Sequence, residues 1–274
     1  MSLRHRLAPP WLALHRLFGP SPGLRLLLLH EVAATELPAL ERLVDWLAEG
    51  DRLGNPAELE AALSGGALPA GPRWVLSFDD GFAGNLAAAR IIERAGGRAL
   101  FFVCPGLVGL AAMPQAEAIA ANIFDGKKGA GDLRLMSWDQ LAALQAAGHT
   151  IASHTMSHRR LTRLSAGEIE AEVAGAVALL ADKLGGRSDW FAFPFGDIAS
   201  ISAEALTIIG RHHRYCRSGV RGAISAIPHR LAIPADQIDL AAPWAYQQLV
   251  AEGGLDARYR SARSRLEGMA SASA

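Results

Sequence analysis

The run Val75-Leu76-Ser77-Phe78-Asp79-Asp80-Gly81 brings an apolar stretch to an end on two adjacent carboxylates. Trp74 to Phe78 is apolar but for one serine, which predicts a strand of a parallel α/β sheet. In such sheets active sites lie at the C-terminal strand edge. Two neighbouring acids there are hard to justify by stability, because like charges repel unless a cation or a proton intervenes. The plain alternative is an Asp-Asp-Gly turn that also caps the next helix, and from this stretch alone the two readings weigh equally.

Outward from this strand, short apolar runs alternate with amphipathic stretches. Upstream, Leu26 to Leu29 reads as a strand and Leu37 to Ala48 as a helix. Asn55-Pro56-Ala57-Glu58 supplies a cap, a first-turn proline and an acid, opening a helix to about Leu63. Downstream come a helix over Asn85 to Ala95, closed by Gly96-Gly97, and a strand over Ala99 to Val103. Trp138 to Ala147 reads as a helix and Thr150 to Ser153 as a strand. Ser165-Ala166-Gly167-Glu168 fits a capping box for a helix running to Leu184. Trp190 to Phe193 is the next strand, Ala203 to Gly210 a helix, and Arg230 to Ile233 the last strand. Repeated β-then-α units imply an α/β fold of parallel strands with crossover helices, and about seven units favour a barrel over an open sheet.

Two stretches break this rhythm. Ala111 to Leu135 is too long for a plain connection and reads as a substrate-side loop. The chain is expected to divide into an N-terminal extension over 1–24, a barrel domain over 25–267 and a disordered tail over 268–274, the last because it has little to bury.

Composition excludes some functions. Lys plus Arg and Asp plus Glu each number 27 in 274 residues; this lacks the basic excess of a nucleic-acid binder. Cys104 and Cys216 stand far apart and read as buried, reduced thiols rather than a disulfide. The apolar stretch near Trp11 is interrupted by His15, Arg16 and Pro20, so no signal peptide is expected. The purest apolar run, Leu26 to Leu29, is too short to span a bilayer. The expected location is the cytoplasm, with no membrane span.

A second motif shifts the balance at Asp79 and Asp80. His154-Thr155-Met156-Ser157-His158 follows another short strand, with imidazoles at i and i+4. On a helical turn that spacing puts both rings on one face, able to share a metal. Two histidines and a carboxylate, with positions left for water, form a common catalytic metal set.

With both motifs in view, the sequence resembles the polysaccharide deacetylases, the NodB-homology domain of carbohydrate esterase family four. Ser77-Phe78-Asp79-Asp80-Gly81 resembles the family's first motif and His154-Thr155-Met156-Ser157-His158 its second. Phe193-Pro194-Phe195-Gly196 resembles the third, which shapes one groove wall. The resemblance, from about Leu26 to Ile233, implies a distorted (β/α)7 barrel and a divalent metal, usually zinc, held by Asp80, His154 and His158. Asp79 would be the general base, and Pro194, Phe195 and Gly196 would line the substrate. The family's late Leu-x-His motif does not occur after Gly196, but Leu28-Leu29-His30 lies near the N-terminus. That arrangement is similar to the circularly permuted branch, which includes poly-N-acetylglucosamine deacetylases, and makes His30 the candidate acid beside the plainer reading of a histidine ending a strand. The arginine that normally precedes the third-motif proline by two residues is Ala192 here, and the Asp-Trp of a fourth motif is not evident. Arg230 is a candidate replacement, with no sequence argument to place it there. His149, His212, His213 and His229 read as structural or exposed, and Arg211 to Arg217 as a solvated face.

The function implied is metal-assisted hydrolysis of an acetyl group, N-acetyl before O-acetyl, from a saccharide or polysaccharide. A deformylase or cyclic-amide hydrolase of the same fold, and a non-catalytic carbohydrate-binding relative, stay open. The oligomeric state is not legible.

Overall fold

The computed structural model describes residues 3–17, 23–224, 226 and 228–273. Seven strands form one parallel sheet: β1 (Gly23–Leu29), β2 (Pro72–Phe78), β3 (Ala99–Val103), β4 (Thr150–Ser153), β5 (Trp190–Ala192), β6 (Tyr215–Arg217) and β7 (Asp236–Gln237). Their spatial order is β6-β5-β4-β3-β2-β1-β7, every neighbouring pair being parallel. The helices are α1 (Leu3–Arg6), α2 (Ala8–Leu17), α3 (Leu37–Ala48), α4 (Pro56–Leu63), α5 (Asn85–Arg94), α6 (Ala112–Ala118), α7 (Trp138–Ala146), α8 (Ala166–Leu184), α9 (Ala203–His212), α10 (Trp244–Ala251) and α11 (Arg260–Ser271).

The strands are buried on both faces because helices cover one side and side chains fill the other. Leu27, Leu29, Leu76, Phe78 and Phe101 belong to one apolar cluster with α3, α5 and α10, and the alternate residues Leu26, Leu28, Val75, Leu100 and Phe102 to another. This period-two division of continuous apolar runs is what a sheet curled around its own core requires. The expected caps form: Asn55 accepts from the Glu58 N–H, and Glu168 folds back on Ser165.

The barrel is pinched where the sequence suggested a last strand. Arg230 to Ile233 makes only an isolated bridge, Ile233 to Arg217, before the chain passes into β7 beside β1. The physical reason is divided pairing. Cys216 N–H donates to the Arg230 carbonyl and Ser218 N–H to that of Ile233, while Ile238 N–H already donates to Leu28. One short stretch therefore serves both sheet edges. The end of the chain also differs from expectation: α11 runs through Gly268 to Ser271, because Leu266 and Ala270 are buried in the cluster under α9. At the other end α2 is docked on the barrel, with Ala8 and Leu12 buried in the main core.

Candidate active site

The strand ends converge on one bowl. Asp79 and Asp80 directly follow β2, and the Asp79 N–H donates to the Leu29 carbonyl at the end of β1, one residue before His30. His154 directly follows β4, with its N–H on the Val103 carbonyl of β3. The cavity they share measures about 850 Å³ and is lined by His30, Asp79, Asp80, His154, His158 and Arg217 among others.

The two histidines reach it by a route different from a helical turn. Residues 154–158 form an irregular loop in which Thr155 (φ 64°) and His158 (φ 62°) are left-handed. Side-chain hydrogen bonds sustain this costly backbone. The Thr155 hydroxyl accepts from the His158 N–H at 2.9 Å, and buried Glu172 of α8 accepts from the Ser157 N–H and hydroxyl at 2.9 and 2.6 Å. Asp80 (φ 70°) and Phe195 (φ 68°) are left-handed as well, so four of the six such non-glycine residues among the described ones border this site.

Both rings are oriented from behind. His154 Nδ1–H donates to the Ala192 carbonyl at 2.7 Å and His158 Nδ1–H to the Asn122 carbonyl at 3.1 Å. Burial, the largest influence, lowers their pKa values to about 4 and about 3, so both rings are neutral and Nε2 carries the lone pair. Those lone pairs face Asp80 Oδ1, at 3.6 Å from His154 and 3.3 Å from His158. Asp80 Oδ1 is buried with no hydrogen-bond partner. Three lone pairs turned on one another are unfavourable unless a cation lies between them. Asp80, His154 and His158 are the residues whose ligand atoms gather within 4.8 Å, and this donor set fits a divalent metal with Nδ1 anchored in the manner of metal-binding histidines.

Asp79 stands beside this trio. Its Oδ1 accepts from Arg217 Nη2, and its Oδ2 lies 3.7 Å from His154 Nε2, open to the cavity. Burial would raise its pKa, but the positive charge and hydrogen bond of Arg217 lead the opposing influences, and the carboxyl is held below its usual range. Arg217 is itself fully buried and stacks over Phe102 at 4.7 Å. Ala192 and Arg217 are register partners on β5 and β6, so this arginine stands one strand away from the position where the resemblance looks for one. Arg230 does not reach the site: it binds the carbonyls of Gly210, His213 and Arg214. The solvated-face reading of Arg211 to Arg217 thus fails at its last residue, whose strand turns it inward.

His30 opens onto the cavity solvent yet is walled by protein. That enclosure lowers its pKa first, with Asp79 raising and Arg217 lowering it. Phe195 and Gly196 line the cavity; Pro194 is buried behind them and is not among the lining residues. Gly196 is required, because a Cβ there would stand 2.7 Å from the Gly219 nitrogen. From the long 111–135 stretch, Phe124, Lys127 and Lys128 reach the same cavity. Glu31, which the sequence did not single out, also lines it, and burial pushes its carboxyl up to about 7. Its position one residue after His30 at a strand end was the available signal.

A family model described as polysaccharide deacetylase matches residues 68–212. That segment carries Asp79, Asp80, His154 and His158, while His30 and Arg217 lie outside it. Among curated proteins none matches the chain. The fold is similar to the Streptococcus pyogenes deacetylase PplD in complex with acetate, at 18% identity and TM-score 0.65, covering 84% of this chain and 97% of that one. It is similar to IcaB from Ammonifex degensii, at 20% identity and TM-score 0.64, covering 86% and 98%. A de-N-acetylase from Aggregatibacter actinomycetemcomitans aligns at 14% identity and TM-score 0.62, covering 82% and 98%.

Proposed function

We propose that this chain, which belongs to the polysaccharide deacetylase family, is a metal-dependent hydrolase that removes N-acetyl groups from a saccharide. The observation that carries the metal is the buried, unpartnered Asp80 Oδ1 facing two imidazole lone pairs. Nitrogen and oxygen donors in that set suit zinc. A metal held by Asp80, His154 and His158 supplies Lewis-acid polarisation of the acetyl carbonyl and a lowered pKa for water.

The chain's own residues do the rest. Asp79 takes the proton of the attacking water at Oδ2, the oxygen that Arg217 leaves free. Arg217 fixes the plane of that carboxylate and keeps it ionised, ready to act as base. The Phe195 backbone N–H, on the cavity wall, donates to the oxygen of the tetrahedral intermediate. Negative charge growing on that oxygen raises the proton affinity of nearby His30. His30 collects a proton from cavity solvent and delivers it to the departing nitrogen.

Metal content and acetate release from N-acetylglucosamine oligomers test this together, in wild type and His154→Ala. The expected result is near-stoichiometric metal and acetate release, both lost in the variant. Absence of metal under zinc and cobalt supplementation overturns the reading; metal with formate released instead of acetate, from matched formyl and acetyl amino sugars, reassigns the acyl group.

A further inference from the structure

Six large apolar side chains are exposed among the described residues, and four of them, Leu7, Trp11, Leu14 and Leu17, fall within eleven residues at the N-terminus. The spacing of three places Trp11, Leu14 and Leu17 on one side of α2, with Leu7 in the bend just before it. The other side is already committed to the fold. Ala8 and Leu12 are buried in the core, His15 Nε2 meets the Glu252 carbonyl at 2.9 Å, and Arg16 pairs with Glu252. The helix is thus held rigidly by one face while presenting a second, apolar one, with Trp11 57% exposed at its centre.

The segment's own charges have one sign, the nearby Glu252 being engaged by Arg16 on the docked face. Residues 1–30 contain no Asp or Glu, and Arg4 and Arg6 stand exposed at the start of the helical segment. An apolar helix face with a tryptophan and flanking arginines is the arrangement that lies in the headgroup layer of a bilayer. No helix of the described residues is long and apolar enough to cross one. A second copy of this chain fits the stripe less well. Four partly exposed side chains fall far short of the roughly 800 Å² per partner that a stable dimer buries. A two-fold contact would also set the Arg4 and Arg6 pairs against their own copies.

Arg4, just before the stripe, borders a cavity that adjoins the catalytic bowl. This second cavity, of about 300 Å³, is lined by Arg4 and Tyr246 and shares His30 and Glu31 with the site. Arg4 itself lies over the Tyr246 ring at 5.7 Å.

We infer that the N-terminal segment, α1 with α2, docks the protein on an anionic lipid bilayer, by inserting Leu7, Trp11, Leu14 and Leu17 with Arg4 and Arg6 on headgroups. Docking brings the cavity shared by Arg4 and His30 towards the membrane surface, so the substrate class favoured is an acetylated saccharide carried on a lipid. That last clause rests on the deacetylase reading; docking does not.

The test is co-sedimentation of the full chain with phosphatidylglycerol–phosphatidylethanolamine vesicles and with pure phosphatidylcholine vesicles. Wild type is compared with Trp11→Ser/Leu14→Ser and with Arg4→Ser/Arg6→Ser, each checked for unchanged melting temperature and metal content. Wild type should bind the anionic vesicles, less so at about 0.5 M salt, as screening demands. The apolar double variant should lose about tenfold or more in partitioning, and the arginine variant should lose its preference for anionic lipid. Equal binding by wild type and the apolar variant, or none by either, overturns docking. So does a wild-type dimer in sedimentation velocity that the apolar variant converts to monomer. Acetate release from vesicle-borne and free substrates then separates the two claims. A rate lost only on vesicles in the apolar variant supports the lipid-linked class, whereas no release on either with vesicle binding intact leaves docking standing and removes the deacetylase reading.

Discussion

Arg25 and Arg217 are both buried inside the barrel, 2% and 0% exposed, each beside an aspartate that terminates or begins a strand. Near the start of β1, Arg25 is engaged by Asp236 at 2.8 Å and Asp256 at 2.6 Å, and Gly253 is needed so that no Cβ collides with its guanidinium. At the end of β6, Arg217 pairs, among the described residues, with Asp79 alone and leaves both Nε and Nη1 without partners, whereas Arg25 leaves only its Nε so. One arginine is clamped by two carboxylates and ties β1 to β7 and the 256 loop. The other fixes one oxygen of a carboxylate whose second oxygen faces a cavity. Similar burial and similar chemistry yield a strut in one place and, on the function proposed above, a base in the other; the difference is that Asp79 lines the cavity and Asp236 does not.

The sharpest break in that comparison comes at Asp79. Asp79→Asn keeps the shape and the Asp80–His154–His158 ligands but removes the proton acceptor. Acetate release should fall about 10³-fold, within the range for losing a general base, while metal content by elemental analysis stays at the wild-type level. Retention of near wild-type turnover would remove Asp79 from the base role. Next in size is Arg25→Met, which strands a buried aspartate and should cost about 3–5 kcal/mol in denaturant unfolding, as for a broken buried ion pair. Turnover of the folded fraction should not change.

Arg217→Met sharpens the contrast from the other side. Arg217 leads the influences that oppose burial at Asp79, so removing it raises that carboxyl's pKa. The acid limb of kcat/KM against pH should shift to higher pH, and kcat should fall by about tenfold with KM held. A lowered melting point with an unmoved acid limb would make Arg217 a strut like Arg25. The smallest effect is expected far from the site, at His213. Burial pushes His213 down to about 3, and it packs against Phe191 with Nδ1 near the Ser188 carbonyl. The unfolded chain takes up this proton near the ordinary value of 6.5 and the native state only near 3, so stability falls as pH drops through that window. In His213→Gln the urea midpoint should decline less steeply between about pH 6.5 and 4.

Much of this site was legible in local pattern. Asp79 and Asp80 stand out because charge at the end of an apolar strand needs a reason, and His154 and His158 stand out by the same position. The geometry linking those histidines was not legible. Spacing of four suggested a helical turn, but two left-handed residues held by Thr155 and Glu172 produce the convergence instead. Glu172 lies fourteen residues beyond His158 on another element, and no local period encodes that contact.

Sequence by itself determined the apolar runs, their parallel α/β order, and the carboxylate and imidazole pairs at strand ends, because burial and chemical type are properties of each residue and its neighbours in the chain. Only the tertiary structure decided that Arg217 rather than Arg230 stands beside Asp79, and that His30 opens into the same bowl. Those relations depend on which strands become neighbours and in what register. Ala192 and Arg217 are 25 positions apart in the chain and adjacent only because β5 and β6 pair. That neighbourhood exists only once the sheet has formed.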